Sequence, residues 1–218
     1  SAAMKKITIA LAKGRLADDA TALLTQCGID CGPLSSAGRR LVVEDPASGV
    51  SFILVKPSDV PTYVERGVAD LGVVGKDTLM ERGARVYEML DLGFGKCRLC
   101  VAGFPNEVGR AITAFNLRVA TKYPRIARSY YAEKGMTIDV IELNGSVELG
   151  PLVGLSDVIL DIVESGRTLE ENGLMILEKI CDISARLIVN RVSLKTKGDR
   201  IKPLLASMRA VLREENGR

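Results

Sequence analysis

Short apolar runs of strand length alternate with segments of helical periodicity along this sequence. The first run covers residues 7–11, and the helical segment that follows it ends at Gly28. The same alternation predicts later strands over residues 52–55, 70–74, 97–103, 117–121, 137–142, 157–163 and 185–192. Helices are predicted between them, most clearly over residues 124–134 and 198–214. Strands that alternate with helices pair largely in parallel under a cover of helices, so the sequence predicts an α/β protein.

A glycine-rich stretch at residues 92–96 marks the predicted boundary between two lobes. The length of 218 residues suits one large domain or two small ones. The strand and helix predicted after residue 176 are expected to return to the first lobe. We therefore predict one α/β lobe over residues 4–92 and 177–218, a second over residues 93–176, and a substrate cleft between them.

The balance of charge and hydropathy excludes several classes of protein. The 30 basic and 27 acidic residues leave a net charge of +3, which is too balanced for a generic nucleic-acid binder. No apolar stretch is long enough to span a membrane. Met4 is the expected native start, after an expression remnant, and no signal-peptide core follows Lys5 and Lys6. We therefore expect a cytoplasmic protein that binds neither nucleic acid nor membrane.

The cysteine content predicts free thiols rather than a metal or redox pair. There are five cysteines, an odd number, and a reducing compartment keeps them unpaired. Cys97 and Cys100 have the spacing of a metal-binding pair, but they fall on a predicted strand, where residues three apart point to opposite faces. The sequence contains no second pair of this kind and no histidine, so zinc lacks its usual ligands.

The segment of residues 157–169 carries the strongest sign of a binding site. An apolar strand runs into Ser165 and Gly166, and Thr168 has capping-box spacing to Glu171, which predicts a helix start at about residue 168. Helix starts offer unpaired N–H groups to phosphate, and a glycine lets the backbone approach the anion closely. The pattern therefore indicates a site for a phosphate group.

Two carboxylates precede this turn, at Asp161 and Glu164. Carboxylates in this position can accept hydrogen bonds from ribose hydroxyls, so the whole segment fits a sugar that carries a terminal phosphate. The alternative is a capped helix after a core strand that binds nothing, because many helices begin with serine or threonine.

A second candidate site lies at the junction of the first strand and the first helix, at Lys13, Gly14 and Arg15. Ligands of open α/β sheets gather at the carboxyl ends of strands. A lysine and an arginine around a glycine there suit pyrophosphate, because arginine donates to phosphate oxygens through two N–H groups at once. The alternative is a basic turn that only contacts solvent.

Three further features are weak when each is taken alone. Arg39 and Arg40 follow a loop rich in serine and glycine, where an arginine can close over an anion. Asp70 opens a predicted strand and can equally be structural. Gly145 and Ser146 begin a predicted short helical segment after a strand end.

Taken in order, seven segments resemble the ATP phosphoribosyltransferases along nearly the whole chain. A single glycine motif occurs in many families, whereas seven ordered matches are highly specific. The matching segments are residues 11–16, 58–64, 69–77, 119–124, 143–149, 161–174 and 187–193.

This resemblance implies a two-lobed fold like that of type II periplasmic binding proteins. It implies transfer of the phosphoribosyl group of phosphoribosyl pyrophosphate to N1 of ATP, the first step of histidine biosynthesis. Arg15 and Arg39 are then the catalytic residues that attend the leaving pyrophosphate, although Arg39 and Arg40 remain alternatives for this role. ATP is expected to contact Asp70, Gly145 and Ser146. Phosphoribosyl pyrophosphate is expected to contact Lys13, Gly14, Asp161, Glu164, Ser165, Gly166, Arg167, Thr168 and Leu169.

The resemblance also implies a cofactor and partners. The family uses magnesium, which the substrate's diphosphate would largely ligate, so no metal ligands are assigned to the protein. The match is to the short form of the family, which works with a regulatory subunit related to histidyl-tRNA synthetase. We therefore expect a homodimer when the chain is alone and a hetero-oligomer with that subunit.

Two other classes of protein are alternatives to this interpretation of the sequence. A non-catalytic solute-binding protein would share the two-lobed shape, but the expected lack of an export signal disfavours it. A salvage-type phosphoribosyltransferase would have a phosphate-binding loop with a similar Ser-Gly-x-Thr pattern. Its loop usually follows two adjacent acids, whereas two apolar residues separate Asp161 from Glu164 here.

Overall fold

A computed structural model describes residues 5–109 and 115–217 of the chain. The expected native start at Met4 and the remnant before it lie outside the described residues. Within the described ranges, no helix is long and apolar enough to cross a membrane.

The chain folds as two compact units. The first comprises Ser1–Gly95 and Ser184–Arg218, and the second comprises Lys96–Ile183. The predicted return to the first unit at residue 177 falls inside a strand that spans Met175–Ile183. That strand pairs along its whole length with a neighbour in the second unit, so the chain leaves the second unit only after Ile183.

Eleven strands, counted over the described residues, form two sheets, one in each unit. In chain order the strands are β1 (Ile7–Ala12), β2 (Val42–Asp45), β3 (Val50–Val55), β4 (Leu71–Gly75), β5 (Tyr87–Asp91), β6 (Cys97–Gly103), β7 (Leu117–Thr121), β8 (Ile138–Glu142), β9 (Val158–Val163), β10 (Met175–Ile183) and β11 (Ala185–Val189). The first sheet has the order β2-β3-β1-β4-β11-β5, and the second has the order β10-β6-β9-β7-β8.

Nine α-helices lie within the described residues. They are α1 (Arg15–Gln26), α2 (Gly32–Ser35), α3 (Val60–Glu65), α4 (Lys76–Arg82), α5 (Pro124–Glu133), α6 (Leu149–Leu152), α7 (Arg167–Glu171), α8 (Arg191–Thr196) and α9 (Gly198–Asn216). The predicted helices over residues 124–134 and 198–214 correspond to α5 and α9, each within two residues at either end.

The prediction of α/β layers is confirmed. Both sheets are mixed, however, so their strands are less parallel than expected. Strand β1 runs parallel to β3 and β4, and β7 runs parallel to β8 and β9. Strand β2 pairs antiparallel with β3, because only a short turn joins them. Strand β6 is the first strand of the second unit, and β11 is the strand by which the chain returns to the first unit. Both pair antiparallel with their neighbours.

Helices cover the first sheet on both faces. Ile7, Ile9 and Leu11 of β1 point into a core shared with the buried residues of α1 and α9. The alternate residues of β1, Ala10 and Ala12, point to the other face, where they pack with buried valines of α3. Small side chains on this face let α3 lie close to the sheet. This explains why large and small side chains alternate along β1.

The close approach of α3 depends on Gly72 in β4. A Cβ atom at this position would lie 2.8 Å from Cγ1 of Val60 and 2.8 Å from Cγ2 of Val64. Both valines are fully buried, so neither has room to move aside. The missing side chain at residue 72 therefore sets the distance between α3 and the sheet.

We expect Gly72→Ala to lower the free energy of unfolding by about 1–3 kcal/mol, because it overpacks this layer. Urea denaturation measures the change. Gly145→Ala is the matched control, since a Cβ atom there meets nothing within 4 Å and the backbone is not left-handed. Equal stability of the two variants would contradict the packing argument.

Candidate functional site

The parallel strands of the second sheet bring several loops to one edge. Strands β8 and β9 both run parallel to β7, so the chain segments that follow them leave the sheet on the same side. Residues 143–148 follow β8, and residues 164–169 follow β9. Ligands of α/β sheets bind at this carboxyl edge, so two of the predicted segments are brought together there.

Gly166 opens the helix α7 in a left-handed conformation, with φ of 82° and ψ of 2°. Helix α7 begins at Arg167, one residue earlier than predicted, and the capping box predicted from Thr168 and Glu171 is wrong. The N-cap residue is Gly166, which has no side chain that could cap the helix. A glycine adopts a left-handed backbone without the steric cost that other residues meet. The start of the helix is therefore set by Gly166 and not by a capping side chain at Thr168.

Helix α7 presents N–H groups at its first turn. Its first intrahelical bond runs from the N–H of Glu170 to the carbonyl of Gly166, at 3.0 Å. The N–H groups of residues 167–169 therefore have no acceptor within the helix. The hydroxyl of Ser165 accepts the Arg167 N–H at 3.3 Å. The turn thus combines backbone donors, a hydroxyl and the positive end of a helix dipole.

A cavity of about 200 Å³ lies at this turn. Every residue of the predicted phosphoribosyl segment from Asp161 to Leu169 contributes to its wall. One further residue comes from the neighbouring loop. The lining residues are Glu148, Asp161, Ile162, Val163, Glu164, Ser165, Gly166, Arg167, Thr168 and Leu169.

The acidic residues of this cavity differ in exposure. Asp161 lies on β9, is only 8% exposed, and accepts the N–H of Ile162 on Oδ1 at 2.9 Å. Glu164 is exposed at the start of the turn. Glu148 was not singled out from the sequence, although it belongs to the matched segment 143–149. Only the parallel pairing of β8 with β7 shows that this segment reaches the same edge as β9.

Gly145 and Ser146 lie in the turn after β8 and are exposed. The helix predicted to begin with them begins later, at Leu149. Ser146 has a left-handed backbone, with φ of 46°, which places it before the helix rather than within it. Neither residue is among those that line the cavity at α7.

The basic turn of the first unit follows β1. Gly14 has φ of 125° and is the N-cap residue of α1, whose first bond joins the N–H of Asp18 to the Gly14 carbonyl at 3.1 Å. Lys13, Gly14 and Arg15 are all exposed. The ammonium group of Lys13 lies 3.4 Å from the carbonyl of Gly38. This contact brings the serine- and glycine-rich loop beside the basic turn.

The two arginines of that loop have different surroundings. The guanidinium group of Arg40 donates to the carbonyl of Ser36 at 3.0 Å and to that of Ala37 at 3.2 Å, so it closes its own loop. Arg39 is exposed, and none of the described residues holds its guanidinium group by a hydrogen bond or an ion pair. The contacts therefore favour Arg39 over Arg40 as the arginine available to an anion.

Asp70 lies at the opposite edge of the first sheet from Lys13, because it precedes β4 whereas Lys13 follows β1. Its carboxylate accepts the N–H of Thr8 at 2.8 Å, the hydroxyl of Ser193 at 2.7 Å and the ammonium group of Lys197 at 3.1 Å. The residue is only 3% exposed. These contacts account for Asp70 as a structural residue, and its expected contact with ATP has no support in the geometry.

The cysteines are free thiols, as predicted. Burial raises the pKa of the Cys27, Cys31 and Cys100 thiols above the ordinary value, so these groups stay protonated at neutral pH. Among residues 5–109 and 115–217, no group of three or more histidine, cysteine, aspartate or glutamate side chains is arranged to hold a metal ion.

The two α/β units and their strand-edge loops define the class of protein. The fold is that of type II periplasmic-binding-protein-like domains. A histidine kinase sensor domain with similarity to periplasmic binding proteins aligns with a TM-score of 0.62, covering 97% of this chain and 92% of its own, at 13% sequence identity. At that identity the likeness shows the fold alone.

The chain belongs to the ATP phosphoribosyltransferase family, whose HisG model matches residues 56–210. The ATP phosphoribosyltransferase of Ruminiclostridium cellulolyticum is 53% identical over 208 residues, which cover 94% of this chain and 97% of that protein. A solved ATP phosphoribosyl transferase (HisG:HisZ) complex from Thermotoga maritima aligns with a TM-score of 0.81 at 34% identity, covering 95% of this chain and 99% of the other.

These findings confirm the resemblance drawn from the seven ordered segments, including the match to the short form. The chain is an enzyme of pentosyl transfer that acts at the first step of histidine biosynthesis. Family membership favours this function over a salvage-type phosphoribosyltransferase and over a non-catalytic solute-binding protein.

We expect Asp70→Asn to lower the free energy of unfolding by about 2 kcal/mol, because it weakens charge-assisted hydrogen bonds in a buried network. Urea denaturation measures this loss. Asp182→Asn is the control, since Asp182 is 79% exposed and its ion pair with Lys179 should add little. The KM for ATP should stay unchanged in both variants; a raised KM in Asp70→Asn alone, at normal stability, would return Asp70 to the ATP site.

Proposed function

We propose that the chain transfers the phosphoribosyl group from phosphoribosyl pyrophosphate to N1 of ATP, and that the loops after β1 and β9 bind different parts of the donor substrate. Residues 161–169 hold the ribose and its 5-phosphate, and the turn at Lys13–Arg15 together with Arg39 holds the pyrophosphate. The observation that carries this proposal is the left-handed Gly166 at the start of α7, beside a cavity with carboxylates on its wall.

The cavity at α7 supplies complementary groups to a sugar phosphate. The N–H groups at the first turn of α7, with the hydroxyls of Ser165 and Thr168, donate to phosphate oxygens. Carboxylates accept from ribose hydroxyls, and Asp161 and Glu164 take this role, with Glu148 as a third candidate. A phosphate needs donors and a hydroxyl needs acceptors, so the two kinds of group on one wall orient the sugar.

Arg15 and Arg39 are the proposed catalytic residues. As the bond from C1 of the ribose to pyrophosphate breaks, negative charge grows on the leaving group while the sugar approaches an oxocarbenium ion. Guanidinium groups held at that charge lower the barrier more than they strengthen ground-state binding. Lys13 and Gly14 add an ammonium group and a close backbone approach to the same phosphates.

The bond-forming step needs no general base. The lone pair of adenine N1 attacks C1 as pyrophosphate leaves with its bonding electrons, so the adenine ring becomes cationic. The proton is then lost from the exocyclic amine, which the positive charge has made more acidic. The sequence contains no histidine, so no imidazole takes part. The protein contributes mainly by positioning two polyanions and stabilising the departing charge.

The remaining ATP contacts are proposed at Gly145 and Ser146, which are exposed at the same edge of the second sheet as α7. Asp70 is not part of this proposal, because protein groups already occupy its carboxylate.

Magnesium is proposed to arrive with the substrates. The ion prefers octahedral oxygen ligands and keeps several waters. The diphosphate of the substrate can therefore supply most of the remaining ligands, without protein side chains. When bound, it would neutralise part of the phosphate charge. The donors at α7 are N–H groups and hydroxyls, which suit phosphate oxygens rather than a cation.

The proposed cellular form is a cytoplasmic hetero-oligomer with a regulatory subunit related to histidyl-tRNA synthetase, and a homodimer in the absence of that subunit. The support is the likeness to the Thermotoga maritima protein, whose structure was solved as a HisG:HisZ complex.

We expect Gly166→Val to raise the KM for phosphoribosyl pyrophosphate by about tenfold or more, since a side chain at the N-cap would block phosphate. Pyrophosphate release, which should require both substrates, measures the effect. Gly173→Val is the matched control, because Gly173 has a similar left-handed φ of 71°, with open space around it, after the other end of α7. A folded Gly166→Val enzyme with a wild-type KM would exclude α7 as the phosphate site.

We expect Arg39→Ala and Arg15→Ala each to reduce kcat by about a hundredfold, because each removes a donor to the departing charge. Arg40→Ala should instead keep kcat and lose about 1 kcal/mol of stability, since its bonds lie within its own loop. Pyrophosphate release at saturating substrates and urea denaturation separate the two effects. A large loss of kcat in Arg40→Ala but not in Arg39→Ala would reverse the assignment.

A further inference from the structure

A surface groove of about 870 Å³ lies on the first unit, between the outer strand β5 and the segment where α8 leads into α9. We call it the β5 groove. Its lining residues are Tyr87, Met89, Leu194, Lys195, Gly198, Asp199, Lys202 and Pro203.

The β5 groove is remote from the proposed substrate residues of the same unit. Tyr87 pairs with Val189, and Val189 pairs with Leu71, the first residue of β4. Tyr87 therefore lies at the edge of the sheet where the parallel strands begin, whereas Lys13 lies at the edge where they end. An occupant of the groove is not a substrate held by the basic turn.

The floor of the groove is apolar and its rim is basic. Tyr87 is 36% exposed, and the guanidinium group of Arg191 lies 5.5 Å from its ring centroid. Lys195 and Lys202 are exposed, and neither forms an ion pair with any of the described residues. The acid in the lining, Asp199, already pairs with Lys5 at 3.3 Å. The groove therefore favours an occupant with apolar side chains and unpaired negative charge.

Strand β5 adds backbone groups to this surface. In the part of the chain that the structure describes, it forms the edge of its sheet and pairs with β11 alone, so the N–H and C=O groups on its outer side can bond to another chain. The Glu88 side chain on this strand is neutralised by Lys76, whose ammonium group lies 2.8 Å away. An incoming acidic segment thus meets little negative charge on β5.

We propose that the β5 groove is the docking surface for the regulatory subunit, through an acidic segment that carries apolar side chains. This inference rests on the partner proposed above. A second copy of this chain fits less well, because a two-fold contact through the groove would set Arg191, Lys195 and Lys202 against the same basic rim. Docking at this edge leaves the basic turn at the other end of the strands open to substrates.

The test measures the affinity of the full chain for the regulatory subunit of the same organism by isothermal titration calorimetry. Reversing both rim charges, in the double variant Lys195→Glu and Lys202→Glu, is expected to weaken binding by about tenfold or more. The matched control is the double variant Arg209→Glu and Arg213→Glu, which makes the same charge change at exposed positions further along α9. The control should bind as the wild type does.

Two further variants test the position of the contact. Tyr87→Ala shortens the apolar floor and should weaken binding, while Val153→Asp alters a 64% exposed apolar site on the second unit and should not. Loss of binding in Val153→Asp, with wild-type affinity in both groove variants, overturns the proposal. Melting temperatures show that each variant is folded.

Turnover by the isolated chain separates this proposal from the proposed function. The groove variants should keep the wild-type kcat and KM, because no groove residue belongs to the proposed substrate loops. A wild-type chain that does not bind the subunit would overturn both the partner and the groove. Wild-type affinity in the groove variants would overturn the groove as the docking surface and leave the partner in place. Absent turnover by the wild-type chain would count against the catalytic assignment only.

Discussion

Parallel pairing of strands is the constraint on which the sites depend. Because β7 pairs in parallel with both β8 and β9, the segments that follow β8 and β9 leave the sheet at one edge, and Glu148 lines the same cavity there as Gly166. In the first sheet, the same rule puts Lys13 and Asp70 at opposite edges, because one follows β1 and the other precedes β4. Strand direction thus separates Lys13, a proposed pyrophosphate ligand, from Asp70, whose carboxylate is held by protein groups.

Asp70 shows how a residue of a matched segment can hold distant parts of the fold together. Its carboxylate joins β1, through the Thr8 N–H, to Ser193 of α8 and to Lys197, which lies between α8 and α9. Asn190 completes the junction by capping α8 through the Ser193 N–H at 2.9 Å. Two of the matched segments, residues 69–77 and 187–193, therefore hold each other across the first unit. Buried carboxylates need such partners, since an unpaired charge there would cost several kcal/mol.

The proposed polyanion sites depend on local arrangement rather than on overall charge. A net charge of +3 over 218 residues gives little general attraction for phosphate. The proposed sites instead combine a basic turn, a freely exposed Arg39 and the first turn of α7. Backbone N–H groups and guanidinium groups held in place act on charge where it develops, so a nearly neutral protein can still stabilise a departing pyrophosphate.

The sequence by itself determined the α/β class, most strand positions, the family and the turn at residues 161–169, because hydrophobic period and ordered motifs are local properties of the chain. It misplaced the start of α7, since a capping box and a left-handed glycine compete for the same turn. It chose Arg39 with Arg40 as the alternative, passed over Glu148 and expected Asp70 to contact ATP. Only the tertiary structure shows where α7 begins, which groups hold Arg40 and Asp70, and that Glu148 lines the cavity at α7. The edges of a sheet and the partners of a side chain are set by pairing between distant segments.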